Sequence, residues 1–581
     1  MDRTVETENA EMMQAADDWP LRPWALAGIG AVAGLAIYEL LDDSEWIAWR
    51  SALAAFAFFA ALAAGFTLRP RRALEPVLFS LGLGAVMAGI AWLAVDSGDR
   101  FASEGFGFAA GVFFSILAVP LFQSDFHRRH WATPYEETHF HVWTDAISAG
   151  GAFAFFVLSY ALMWLLHLLF SLVGIDIIED LIQSGVFVAM FAGATFGGAL
   201  GVLRNQLGII GTLQRVVMLV FSLLAVPFAA AVLVFLLVLL LSGGDALWDA
   251  TDSATPVLLA CAVGCFVLAN AVIRDDDASR SDNVVMKLAA LVLSAGILPL
   301  ALFAAISMGI RIDQYGLVPD RIWALVAIAI ATAYGIAYWA GLIRGRLTGW
   351  SGNLRRANLH LAVVSCAVAL LLAFPLLDFG AISTRDQLAR LESGEVPVDE
   401  FDFTALRWDF GKSGREAIAR LSRRSGEIGQ LALAAKEQET RPWYTGTDME
   451  GREDRAFDLR VESDDPRVKP FLLRRLRSEP WSCENYCLAI DLGVNREGVR
   501  EIALLQEYGM EVFSMRADDA GMRETVEAPA RGPSRGPLNK DSVVEVRTVT
   551  ERYVFVDGVK MRQPLGDVGD GTSEVRVEPV E

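Results

Sequence analysis

The sequence predicts an all-α polytopic membrane bundle of about eleven transmembrane helices, followed by a soluble α+β C-terminal domain. Three observations predict it. Eleven apolar stretches fill the first two thirds of the chain, and each approaches the roughly 20 residues needed to cross about 30 Å of hydrocarbon. Basic residues between the stretches fall alternately on one side and the other. The 581-residue chain is 54% hydrophobic with a mean hydropathy of +0.38, yet 21% of it is charged. That mixture requires both a lipid-embedded part and a water-exposed part.

In order, the spans are Pro23–Leu41, Ile47–Leu68, Leu74–Val95, Gly105–Phe122, Ala146–Val173, Gly185–Leu203, Val216–Leu241, Ala254–Ile273, Val284–Met308, Arg321–Ile343 and Ala357–Leu377. Those starting at Ala146 and Val216 exceed the minimum length, which implies tilt, and Pro227 is a candidate kink. Gly193, Gly197 and Gly201 recur every four residues on one helix face, as do Gly30 and Gly34, which favours close packing within the bundle over a dimer interface. The amphipathic segment Ile175–Gln183 suits the outer membrane surface rather than a crossing.

With the N-terminus inside, sixteen Lys/Arg collect on the cytoplasmic side, against only Arg50, Arg100, Arg311 and Arg321 opposite. Basic flanks are retained in the cytoplasm, so this sets the orientation. An odd number of crossings then places everything after Leu377 outside. The domains are residues 1–21, an acidic cytoplasmic tail; 22–377, the bundle; 378–440, a helical stalk; and 441–581, a mainly β extracytoplasmic module with a mobile loop at 517–541. No cleavable signal peptide is expected, because Asp2–Asp18 is acidic where a signal peptide is basic. The net charge of −20 argues against nucleic-acid binding, which needs a concentrated basic face.

In the tail, helical periodicity marks Ile382–Leu391, Gly414–Arg424 and Glu427–Glu437. Strand patterning marks Leu488–Leu492, Ile502–Leu505, Glu511–Met515, Val543–Val549 and Tyr553–Val556, with Asp557-Gly558 as a hairpin turn.

Five segments carry a family likeness: His139–Ala149 (HFHVWTDAISA), Gly211–Met218 (GTLQRVVM), Asn270–Ile273 (NAVI), Gln314–Ala324 (QYGLVPDRIWA) and Leu377–Ser393 (LDFGAISTRDQLARLES). From about Arg22 to Leu421 the chain resembles the bacterial inner-membrane proteins grouped as domain of unknown function 4153. The resemblance implies an integral inner-membrane protein with an appended soluble region and implies no reaction.

Candidate chemistry is sparse. His127, His130, His139 and His141 lie close in sequence with Glu136 and Glu137 between them, and imidazole with carboxylate can hold zinc. Pro134 separates the two pairs and the spacing matches no standard site, which favours hydrogen bonding at the interface. Thr144 or Asp145 could cap the following span. His167 is the ionisable residue deepest in a span and, with Asn270, Gln214 and Tyr160, offers either an interhelical bond or part of an ion route.

Cys483 and Cys487 lie in the tail, where an oxidising compartment would allow a disulfide; Cys261, Cys265 and Cys366 lie in spans as small apolar groups. Asp491, Asn495, Glu497 and Glu501 resemble a calcium loop, but Gly493 replaces a ligand and Arg496 adds a positive charge, so a degenerate turn is favoured. Gly411-Lys412-Ser413 fails as a phosphate loop because Leu406 stands where its first glycine belongs.

The sequence carries no complete catalytic motif and calls for no cofactor. It is expected to be a noncatalytic envelope-associated binding or scaffold protein, with the lipid bilayer and an envelope protein as partners. The alternative is a transporter or channel for an unidentified solute.

Overall fold

The computed structural model describes residues 19–41, 46–70, 72–96, 101–102, 104–242, 254–277, 283–346, 349–438, 441, 458–463, 465–478, 483, 486–494, 499–505, 510–516, 551–556 and 559–567. The chain forms two compact units, Met1–Pro442 and Trp443–Glu581. Among the described residues, eleven helices are long and apolar enough to cross a membrane. They are α1 (Arg22–Leu41), α2 (Ala48–Thr67), α3 (Leu74–Asp96), α4 (Glu104–Gln123), α5 (Tyr135–Ser171), α6 (Gly185–Asn205), α7 (Leu207–Leu241), α8 (Thr255–Ile273), α9 (Val284–Tyr315), α10 (Pro319–Gly345) and α11 (Trp350–Ala373). Exposed Trp24 stands at one end of α1, and exposed Trp46, Trp49 and Trp92 mark the opposite ends of α2 and α3. Such amphipathic rings favour the two membrane interfaces.

The glycine rows pack α1 against α6, within the bundle as expected. A Cβ on Gly30 would overlap the Gly193 carbonyl, one on Gly34 the Ala189 carbonyl, and one on Gly197 the Leu26 carbonyl. Only hydrogen in place of a side chain lets the backbones approach this closely. In the second half, α7 to α11 enclose a core that includes Cys265, Leu293, Ile297, Leu300 and Tyr338.

α5 overturns the capping expectation. The helix starts at Tyr135 after an extended Pro134, so Thr144 and Asp145 lie more than two turns inside it. Thr144 Oγ1 instead donates to the Phe140 carbonyl at 2.7 Å. A hydropathy reading stops where polar residues begin, whereas the helix continues because its neighbours bury those residues. α7 likewise starts at Leu207 and runs through Pro227. Ile177–Gln183 is a separate seven-residue helix.

After the bundle, α12 (Phe379–Ser393), α13 (Phe403–Trp408), α14 (Gly411–Leu421) and α15 (Glu427–Lys436) build a small core around Leu406, Ala417, Ile418 and Ala432. Asp378 caps α12 by accepting the Ala381 N–H at 2.8 Å, and Ser413 Oγ donates to its other oxygen at 3.4 Å. The segment lies against the turn between α9 and α10. Asp386 Oδ2 accepts from Leu317 N at 2.7 Å, Gln387 Nε2 donates to the Tyr315 carbonyl at 2.8 Å, and Arg390 Nη2 donates to the carbonyls of Asp313 and Gln314, both at 3.0 Å. Gly316 makes that turn possible with φ +70°, a conformation costly for a side chain.

In the second unit, a four-stranded sheet has the order β1 (Asp458–Glu462), β2 (Tyr486–Val494), β3 (Val499–Leu505), β4 (Met510–Arg516). β1 and β2 are parallel and joined through α16 (Val468–Ser478); the remaining pairs are antiparallel. β5 (Glu551–Val556) and β6 (Val559–Asp567) pair separately and flank the expected Asp557-Gly558 turn. Asp557-Gly558, the expected strand Val543–Val549, the loop 517–541 and residues 1–18 of the acidic tail lie outside the described residues.

Candidate functional site

The N-terminal half of α5 carries polar side chains on two faces, and each face enters a buried cluster. On one face, Asn270 of α8, Tyr338 of α10 and Asn358 of α11 form a closed ring. Asn270 Nδ2 donates to the Tyr338 hydroxyl at 2.7 Å, that hydroxyl donates to Asn358 Oδ1 at 2.9 Å, and Asn358 Nδ2 returns to Asn270 Oδ1 at 2.6 Å. Asn358 Nδ2 also reaches the Tyr135 hydroxyl of α5 at 3.3 Å. Arg355, one turn away on α11, caps the end of α8: Nη2 donates to the Ile273 carbonyl at 2.8 Å and the Asp276 carbonyl at 2.6 Å, and Nε to the Arg274 carbonyl at 3.1 Å. Nη1 reaches Asp277 at 3.1 Å. A planar guanidinium suits this task, because its fixed fork serves several carbonyls left over at a helix end.

Removing the Tyr338 hydroxyl leaves Asn270 Nδ2 with only the Phe266 carbonyl as acceptor, at 2.7 Å, and Asn358 Oδ1 without the donor it has in the ring. Interhelical bonds of this kind contribute roughly 0.6 to 1.7 kcal/mol in a membrane. Tyr338→Phe should therefore lower stability by about 1 kcal/mol, read as a lower thermal midpoint in detergent; no change would mean that the ring is ornamental.

On the other face, Gln123 of α4 links α2 and α5: its Nε2 donates to the Phe66 carbonyl at 2.9 Å and to Asp145 Oδ1 at 3.2 Å. Thr138 Oγ1 donates to Ser124 Oγ at 3.1 Å. Arg204 of α6 donates to the carbonyls of Gly65 and Leu68 at the end of α2, at 2.5 and 3.3 Å. Arg22 donates to the Arg204 carbonyl at 3.0 Å and to Asn205 Oδ1 at 2.8 Å. These bonds tie α1, α2, α4, α5 and α6 together at the end where their connecting loops carry arginine.

The four clustered histidines do not converge. His127 stacks on Phe122 with its Nε2 4.0 Å from Glu75, which Arg128 also pairs with. His130 meets Phe126 edge-on, and His141 meets Phe140. His139 is buried between Tyr135 and Trp143, and neither ring nitrogen has a hydrogen-bond partner. Among the described residues no group of three or more His, Cys, Asp or Glu is arranged to hold a metal ion. His167 packs edge-on against Trp164, its Nδ1 buried without a partner.

In the second unit, Cys483 and Cys487 have disulfide geometry, with Cα atoms 5.8 Å apart. Asp491 is engaged within the protein: Ser463 Oγ donates to Oδ2 at 2.5 Å, Gly493 N to Oδ1 at 2.9 Å, and Arg500 to Oδ2. Glu501 lies in β3, while Asn495 and Glu497 fall outside the described residues. Arg500, which the sequence reading missed, occupies the position a cation would need beside Asp491.

Burial alone would raise the Asp491 carboxyl, but the bonds from Ser463, Gly493 and Arg500 outweigh it and hold it below the ordinary carboxylate range. Hydrogen bonds from Arg467, with Arg500 nearby, also hold Asp465 well below the ordinary carboxylate range. A depressed folded value adds stability that is complete above the unfolded value, near pH 4, and is lost as pH falls through the folded one. Pepsin resistance of this unit in mild urea should therefore decline from about pH 5 downward. Asp491→Asn should flatten part of that decline, and an unchanged slope would contradict the charge assignment.

The bundle and its polar clusters define a multi-pass membrane protein. The chain belongs to the family defined by a domain of unknown function (DUF4153), whose model matches residues 29–421. No curated protein sequence and no solved structure matches it. Four of the five segments that carry the family likeness supply the contacts described above. Asp145 and His139 come from one; Asn270 and the Ile273 carbonyl come from another; and the Gln314–Ala324 turn is gripped by Asp386, Gln387 and Arg390 of a fourth.

Proposed function

We propose that this is a noncatalytic protein of the bacterial inner membrane, whose bundle anchors the Trp443–Glu581 unit on the extracytoplasmic side for contact with an envelope partner. One observation carries the choice over transport. Two large cavities of the bundle are lined almost wholly by hydrocarbon side chains, with Asp145 at one end of the first, whereas most of the polar groups bond to one another and to helix ends at the arginine-bearing loops. A coupled ion or solute route needs polar groups facing a cavity near the middle of the membrane. His167 lines neither cavity.

The orientation rests on the sixteen-to-four bias in basic residues, and the geometry of Cys483 and Cys487 supports an oxidising compartment for the second unit. The test is crosslinking in intact cells followed by purification, with the full chain and a chain ending at Pro442. A defined envelope protein captured only by the full chain supports the reading. Solute flux in proteoliposomes, with no partner captured, overturns it in favour of transport.

A further inference from the structure

Helices α1 to α5 line an open-sided cavity of about 1030 Å³, and a second of about 650 Å³ adjoins it between α1, α2, α5 and α6. α2 walls the first cavity from Ser51 to Phe66, a rise of about 22 Å at helical pitch. The two share Ile37, Leu41, Phe58 and Leu62. Phe58 is 49% exposed and lines both of these apolar grooves. Ile116 and Val142, also lining the first groove, are 62% and 43% exposed, so its mouth opens sideways to the surrounding hydrocarbon.

One end of the first groove is polar. Asp145 lines it there, beside the arginine-bearing loops. Its Oδ1 accepts from Gln123, while its Oδ2 and Gln123 Oε1 are buried and receive no hydrogen bond. Two acceptors without a donor in hydrocarbon are costly, and the terminal torsion of an aspartate is soft enough to present either oxygen. Arg69 stands at the same end, its Nη2 donating to the Gln123 carbonyl at 3.3 Å.

Size decides between occupants. A transmembrane helix about 10 Å wide and 30 Å long displaces about 2400 Å³, more than both cavities together. Two hydrocarbon chains from one head match two adjoining apolar grooves that share wall residues. The head must supply several donors to Asp145 and Gln123, as a primary ammonium does with its three, and an anion that a guanidinium can bind.

We propose that the paired grooves bind one two-chained zwitterionic phospholipid, one chain in each groove, its ammonium at Asp145 and Gln123, and its phosphate toward Arg69. This goes beyond the anchoring role and does not depend on which side the second unit occupies.

The test uses the full-length protein extracted in mild detergent, with retained lipids measured by native mass spectrometry against the bulk membrane composition. Wild type should keep about one phosphatidylethanolamine per chain, enriched about tenfold over phosphatidylglycerol. Ala146→Trp, which fills the first groove, should lose it. Asp145→Asn should keep a lipid but lose the headgroup preference. Ile116→Trp, at the exposed mouth, repeats the blockade where bulk is tolerated by packing. Retained lipid with bulk composition in wild type, the same enriched lipid in both tryptophan variants, or a transmembrane polypeptide held in its place would each overturn the proposal.

Discussion

A Gly193→Ala protein should fail to accumulate as a monodisperse bundle, while Gly198→Ala on the same helix should behave almost as wild type. The two positions differ only in what a side chain meets. At Gly193 even a methyl group would overlap the Gly30 carbonyl, which belongs to backbone and cannot turn aside; at Gly198 the nearest atom is the Ala27 methyl, at 3.5 Å. Overpacking usually costs about 1 to 3 kcal/mol. Forcing two helix backbones apart belongs at or above the top of that range, because it also exposes the row at Gly34 and Gly197. The thermal midpoint and yield in detergent read the result. Equal behaviour of the two variants would mean that α1 and α6 are not in backbone contact.

Arg355→Met should be the most damaging single loss in the second half of the bundle. Arg355 is 8% exposed, and its guanidinium serves the carbonyls of Ile273, Arg274 and Asp276 as well as Asp277. Leaving a buried carbonyl unpaired costs about 1 to 3 kcal/mol, and water at the helix end can recover only part of several such losses. A net loss of about 3 kcal/mol follows. Hydrogen exchange should quicken at the end of α8 before it quickens elsewhere. Arg355→Lys should rescue little, because a point charge cannot span three carbonyls as a planar fork does. Full rescue by lysine would show that charge alone matters there.

The spans were legible because membrane crossing leaves a direct imprint on composition. The stretch Leu74–Val95 and the helix Leu74–Asp96 nearly coincide, and Gly105–Phe122 is indeed a helix, Glu104–Gln123. The error at α5 was of a different kind. Tyr135 to Asp145 is polar by sequence, and only the positions of α4, α8 and α11 decide that its polar groups are buried. The Asn270–Tyr338–Asn358 ring was equally hidden, because its members are 68 and 20 residues apart along the chain. Asparagine and tyrosine inside apolar spans were the available signal, since unpaired polar groups there are costly. That signal singled out Asn270 but not its partners. Arg355 counts by sequence only as one of the sixteen basic residues on the cytoplasmic side, although its long side chain turns inward to a helix end. In the second unit, the alternation in β2 to β4 was plain, whereas β1 and α16 were missed because short charged segments such as Asp458–Glu462 carry little periodicity.

The account depends most on an odd number of membrane passes, which sets the compartment of the second unit. Fusing a reporter pair to Glu581, one fluorescent only when folded in the cytosol and one an alkaline phosphatase active only after export, tests it directly. The account predicts a dark fluorescent fusion and an active phosphatase, with the opposite result for fusions ending after α10, in the loop at Arg346. A fluorescent, phosphatase-negative fusion at Glu581 would contradict it.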